Sequence, residues 1–142
     1  MPGNMEIDDA AFISALLARP PLHQWLSPEI IALDAEKGTI AVKLPYRSEL
    51  SRSPDQRDYH GGIIATLVDI AGHTCLAARL KRRVPTIDMR VDYLRGALDT
   101  DLIAEARIIR AGRTVGVCDV DIRDDQGRAI AAGRCVYSTR ED

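Results

Sequence analysis

The 142-residue chain is short of several things at once, and each shortage removes a class of function. Its cysteines, Cys75, Cys118 and Cys135, are odd in number and form no C-x-x-C pair, which argues against a disulfide framework and against a zinc site. A reducing compartment fits that usage. No run reaches 18 apolar residues, and the first residues, Met1 to Asp9, are acidic where a secretory leader would be basic. A cytoplasmic protein with no membrane role is therefore expected. Charge of one sign is lacking too: the net charge of −2 and pI near 5.9 give no case for a nucleic-acid partner. No serine sits in a G-x-S-x-G elbow, so serine-hydrolase chemistry has no anchor.

What remains is the composition of an ordinary globular domain, 46% apolar and 28% charged, and its length suits one domain. Residues 1–28 are expected to form an N-terminal helical segment and 29–142 the core. Asp8 and Asp9 cap a helix expected over Ala10 to Arg19, and Pro20-Pro21 ends it. Alternation over Glu29 to Ala35 and Gly38 to Leu44, around Glu36-Lys37-Gly38, predicts a hairpin. Tyr46 to Asp58, polar and broken by Pro54, predicts a loop.

The stretch 58–80 is the longest apolar-dominated run, sparsely charged and without proline; we read it as one buried helix running to about Arg79, with Pro85 beyond. Ile64, Leu67, Val68, Ala71, Cys75 and Ala78 share one face, and Gly62, Ala65, Thr66, Asp69, His73 and Leu76 the other. Asp69 is the only acid inside it, and a lone buried carboxylate is costly unless it is used. At the front, His60-Gly61-Gly62 offers two peptide N–H groups without side chains where the helix dipole favours an anion.

After the helix the period changes to two. Ile87, Met89, Val91 and Tyr93 alternate with polar residues, as do Leu102, Ala104, Ala106 and Ile108, then Cys118, Val120 and Ile122, before a turn at Asp124 to Gly127 and a strand over Ala129 to Tyr137. Tyr93 reads as a core residue, and Asp88 and Asp92 as solvated. A hairpin, one helix and a meander make an α+β domain in which a curved antiparallel sheet wraps the helix.

These residues carry a family resemblance. His60-Gly61-Gly62, six residues, Asp69, and then a strand opening Thr86-Ile87-Asp88 and reaching Tyr93, resemble the phenylacetate-degradation (PaaI-like) acyl-CoA thioesterases of the hotdog fold, from about residue 29 to the C-terminus. The resemblance implies a hotdog fold, hydrolysis of an acyl-CoA with no metal and no cofactor beyond the coenzyme A of the substrate, and a homodimer or homotetramer. It implies Asp69 as base or nucleophile, the Gly61 amide as donor to the thioester carbonyl, His60 as a neighbour shaping the site, and Thr86 as a holder of the water. The family commonly carries Asn or Gln a few residues ahead of the histidine. Here Pro54 stands six before His60, so Gln56 is the candidate for that role.

Physical reasoning adds the dimer on its own terms. Gly61 and Asp69 are eight residues apart, about 12 Å along a helix, too far for one thioester to meet both. Two antiparallel copies would bring one chain's Gly61 beside the other's Asp69. Gly62 and His73 are candidates for binding substrate, and Arg110 and Arg113, at a strand turn, for the phosphates of coenzyme A. Two other classes stay open: a non-catalytic acyl-CoA binder or sensor, which would not need Asp69, and a hotdog hydratase or dehydratase, whose histidine-bearing motif is not found here.

Overall fold

A computed structural model describes residues 11–141. Helix α1 covers residues 11–18, so the expected caps Asp8 and Asp9 lie outside the described residues. Pro20-Pro21 does more than end it: Pro21 opens a second helix, α2 (Pro21–Leu26). Proline suits a first helical position, since its missing N–H would have no partner there and its φ is preset. Strands β1 (Glu29–Asp34) and β2 (Thr39–Leu44) form the expected hairpin. The following loop contains one short 3-10 turn, Ser48–Leu50, whose buried Leu50 ties it to the core.

Helix α3 (Gly61–Leu80) runs through the middle of the molecule and ends at Lys81, which takes a left-handed conformation. By length and hydropathy α3 matches a membrane span, but it packs against five strands of the same sheet, which accounts for its composition. Then come β3 (Thr86–Tyr93), β4 (Leu102–Ala111), β5 (Val115–Asp124) and β6 (Ala129–Ser138). All pairings are antiparallel, in the order β1-β2-β4-β5-β6-β3. The curved sheet holds α3 on its inner face, and this is the hotdog arrangement expected.

Period-two alternation decides which side chains meet the helix. In β5, Cys118, Val120 and Ile122 point inward, while Asp119, Asp121 and Arg123 point out. The inward set packs on Leu67, Val68, Ala71, Cys75 and Leu76 of α3, all with at most 1% exposure. Leu76 thus belongs to the core and not to the polar side of the helix. The helix sits unusually close to β5 and β6, because a Cβ at Gly116 would lie 2.5 Å from Cδ2 of Leu76 and one at Gly133 2.6 Å from Cγ1 of Val68. The outer face carries cross-strand ion pairs, Arg134 to Asp119 at 2.6 Å and Arg123 to Glu105 at 3.3 Å. Exposed pairs of this kind stabilise little individually; they keep the outer face wet.

β3 occupies one edge of the sheet and is the least covered strand. Ile87 and Tyr93 are 58% and 54% exposed, so Tyr93 is not a core residue. Alternation groups Tyr93 with Met89 and Val91, but at that end of the edge strand it meets the first turn of α3 through its hydroxyl and its ring stays largely in solvent.

Candidate functional site

The site forms around the two ends of the first half of α3. His60 is the N-cap: its extended backbone, φ −62° and ψ 133°, lets its ring Nδ1 accept the amide of Gly62 at 2.9 Å. The proton of the ring therefore sits on Nε2. A cap of this kind stabilises a helix by about 1 kcal/mol. The consequence for the glycine pair is a correction. Gly62 is not available to a ligand through its amide, whereas among the described residues the Gly61 amide has no acceptor and stands at the positive end of the helix.

Tyr93 completes this half. Its hydroxyl donates to the carbonyl of Gly61 at 2.7 Å. The peptide between Gly61 and Gly62 is thus held at both ends, its N–H by His60 and its C=O by Tyr93. Two consecutive glycines would otherwise be the most mobile peptide of the helix. Beside the Gly61 amide lies a cleft of about 610 Å³ lined by Gln56, Ile64, Tyr93, Leu94, Leu98 and others. Gln56 is exposed at its rim. Leu94 and Leu98 are 59% and 60% exposed, an unusual apolar floor next to a free donor.

Two turns along, Asp69 is half-buried, not buried, and it is not alone. Thr86 Oγ1 donates to its Oδ1 at 2.9 Å, and the Tyr137 hydroxyl donates to the same oxygen at 3.0 Å. The expected cost of an uncompensated carboxylate therefore does not arise. Asp69 shares with Gly62, Thr66 and His73 a stripe of α3 that the sheet covers only in part. His73 Nε2 accepts the amide of Val84 at 3.4 Å. Burial pushes its pKa below the ordinary value of 6.5; the Asp69 carboxylate opposes that shift, while Arg83 and His23 add to it. His73 is neutral around pH 7.

The arginines stand elsewhere. Arg113 lines a polar cleft of about 540 Å³ with Arg82, Thr114, Thr139, Arg140 and Glu141. Arg82 is occupied there, donating to the Thr139 carbonyl at 2.6 Å. Arg110 ends β4 beside that turn, and neither it nor Arg113 has a carboxylate partner among the described residues. Within one chain, then, Thr86, Asp69 and His73 come together; Gly61, His60 and Gln56 form a second group; Arg110 and Arg113 form a third. No three His, Cys, Asp or Glu side chains among the described residues converge as metal ligands would.

Tyr137 was not legible as a site residue. It reads as the last apolar position of a strand, and only the β3–β6 register, in which Thr86 faces Tyr137, brings it to Asp69. A free donor at a helix start and a hydrogen-bonded carboxylate with one open oxygen are the parts that acyl transfer to water requires.

Comparison with known proteins agrees with this chemistry. Residues 58–131 match the family model described as Thioesterase superfamily. The chain is 39% identical to a Halobacterium salinarum protein over 95% of both chains. It is 33% identical to the medium/long-chain acyl-CoA thioesterase YigI of Escherichia coli, over 82% of this chain and 84% of that one. A solved structure from the thioesterase superfamily superposes with a TM-score of 0.86 at 37% identity, covering 94% of this chain and 99% of its own. The PaaI protein of Escherichia coli shares the fold, with a TM-score of 0.79 at 20% identity over 92% and 91% of the two chains.

Proposed function

Because this chain belongs to the thioesterase superfamily, whose chemistry is thioester hydrolysis, we propose that it hydrolyses an acyl-CoA to the free acid and coenzyme A, at a site shared by two copies of the chain. The observation that carries the reading is the separation of the two competent groups. The free amide of Gly61 and the open carboxylate of Asp69 lie on one helix about 12 Å apart, and each keeps a partly exposed position.

A second copy joins them. The half-covered stripe Gly62, Thr66, Asp69, His73 and the exposed edge strand β3 both favour a partner. An edge with free backbone groups and exposed Ile87 and Tyr93 is a liability unless it is covered. With the helices antiparallel, Gly61 of one copy receives the thioester carbonyl while Asp69 of the other faces the carbonyl carbon. Asp69 then takes a proton from a water as its oxygen bonds to that carbon, and the carbonyl electrons move to the oxygen held by Gly61. When the carbonyl reforms, the C–S bond breaks and the thiolate leaves, taking up a proton from Asp69 or from solvent. Thiolate is a good leaving group, so water activation and oxyanion binding carry the reaction.

Gln56 lines the same cleft as Gly61, which supports it as a second donor to that carbonyl in this reading. The acyl tail lies along Ile64, Leu94 and Leu98, which fits the chain-length range in the name of the Escherichia coli relative. The coenzyme's phosphates meet Arg110 and Arg113, with Arg140 in the same cleft. The test is thiol release from a panel of straight-chain acyl-CoAs. Each methylene laid on the apolar floor should add up to about 0.8 kcal/mol, so kcat/KM should rise by roughly fourfold per carbon until the cleft is filled. No hydrolysis of any acyl-CoA by a folded oligomer would refute the assignment and leave a binding protein.

A further inference from the structure

Reading Asp69 as the base leaves undetermined which of its two oxygens reacts and what holds that oxygen still. We propose that Tyr137 is a positioning residue, clamping Oδ1 of Asp69 together with Thr86 so that Oδ2 is presented as the reacting atom. This rests on the thioesterase reading above but adds a residue and an atom to it.

Three independent features of the fold converge on the same point. Thr86 and Tyr137 are cross-strand partners in the β3–β6 ladder, so their side chains leave the sheet on one face, side by side. Both hydroxyls donate to Oδ1, at 2.9 and 3.0 Å, while Oδ2 has no partner among the described residues. Tyr137 also lies 3.2 Å from the main-chain carbonyl of Asp69, which ties the phenol to the helix backbone as well as to the side chain. A carboxylate held through one oxygen from two strands loses its rotamer freedom, and the free oxygen keeps one direction.

The helix is cut to admit the phenol. A Cβ at Gly72, one turn after Asp69, would lie 2.6 Å from the Tyr137 hydroxyl oxygen. Any side chain there would expel the hydroxyl from its place between residues 69 and 72. Tyr137 is fully buried, and burial holds its phenol protonated far above the ordinary tyrosine range. It therefore serves Asp69 as a hydrogen-bond donor. It acts through Asp69 alone.

The experiment compares Tyr137→Phe, Gly72→Ala, their combination, and each with Asp69→Asn, measuring kcat and KM for one acyl-CoA beside thermal melts. Phenylalanine keeps the buried ring and removes only the hydroxyl. The expected result is a fall in kcat of roughly tenfold or more, as small misplacements of a reacting group commonly cause, with KM within twofold. Gly72→Ala should give a similar loss, and the combination no more than either alone, because both remove one interaction. In Asp69→Asn the residual rate should not fall further when Tyr137→Phe is added; a purely structural role would multiply through.

Wild-type kcat in Tyr137→Phe, or a full further loss on top of Asp69→Asn, would overturn the proposal. Should Tyr137→Phe melt below the assay temperature, Gly72→Ala decides the matter in the same way, since it displaces the hydroxyl and keeps the tyrosine. Failure of the broader reading looks different: there, Asp69→Asn itself retains activity.

Discussion

Replacing Gly61 by proline should delete one hydrogen, the unpaired amide of α3, and leave the helix standing. Gly61 is the first residue of the helix, where proline is favoured. The residue before a proline must be extended, and His60 already is, at ψ 133°. A Cβ at position 61 would lie 3.5 Å from the Tyr93 hydroxyl and 3.6 Å from its ring carbons, ordinary contacts. With the native conformation compatible, restricting the unfolded chain stabilises by about 0.4–1 kcal/mol, or roughly 1 to 4 °C for a chain of this size. Loss of a single oxyanion donor, by contrast, costs about 10² to 10³ in kcat. Stability and activity therefore move in opposite directions. The assay is thiol release from a saturating acyl-CoA beside a thermal melt, with Gly61→Ala as the control that keeps the amide and should stay near the wild-type rate. Turnover by Gly61→Pro at the wild-type rate, in a protein that melts at or above the wild-type temperature, would refute the assignment of this amide.

Asp69→Asn should lower kcat by roughly 10² to 10⁴-fold, while the melt falls by only a few degrees, because the amide oxygen can still accept from Thr86 and Tyr137. Mixing Gly61→Pro with Asp69→Asn under conditions of subunit exchange should restore activity, since each heterodimer holds one intact pair; no recovery after proven exchange would argue for a site within one chain. Changing Arg110 and Arg113 together to alanine should raise KM for acyl-CoA and leave short N-acetylcysteamine thioesters nearly unaffected, because those lack the nucleotide. The fourth concerns pH: His73 has its pKa pushed below 6.5 mainly by burial, so the unfolded chain binds that proton first. Its contribution to stability is complete above pH 6.5 and is lost as pH falls below it; His73→Gln should flatten the melting temperature in that window.

The elements of the core were legible because each rests on a local pattern. The helix, read over 58–80 and found over Gly61–Leu80, and strands alternating about Val91, Ala104, Val120 and Tyr137 need only periodicity, and one buried helix with antiparallel strands leaves few ways to pack. What was not legible depends on contacts remote in sequence. Alternation says that Tyr93 shares a side with Val91, but not whether anything covers that side; the edge position of β3 leaves it open. The Gly62 amide looked free because a histidine ring is not among the usual caps, and Nδ1 of His60 takes it. Pro21 reads as a terminator and begins a helix instead. Asp69 looked uncompensated since its two partners arrive from strands 17 and 68 residues downstream.

That last separation has a consequence for how the protein is made. The helix and its donor are synthesised early, but β2 must wait for β4, and Val42 meets Ala104 only after α3 and β3 have emerged. Tyr137 comes 68 residues after Asp69, an interval of roughly 3 to 14 s at ordinary rates of translation. Until then α3 has β2, β4 and β5 to pack on but lacks β6 and the edge strand β3 that pairs with it. A nascent or C-terminally clipped chain therefore leaves Asp69 without its Tyr137 donor and part of α3 without cover over the same interval. Docking of the final strand ends both conditions in one event.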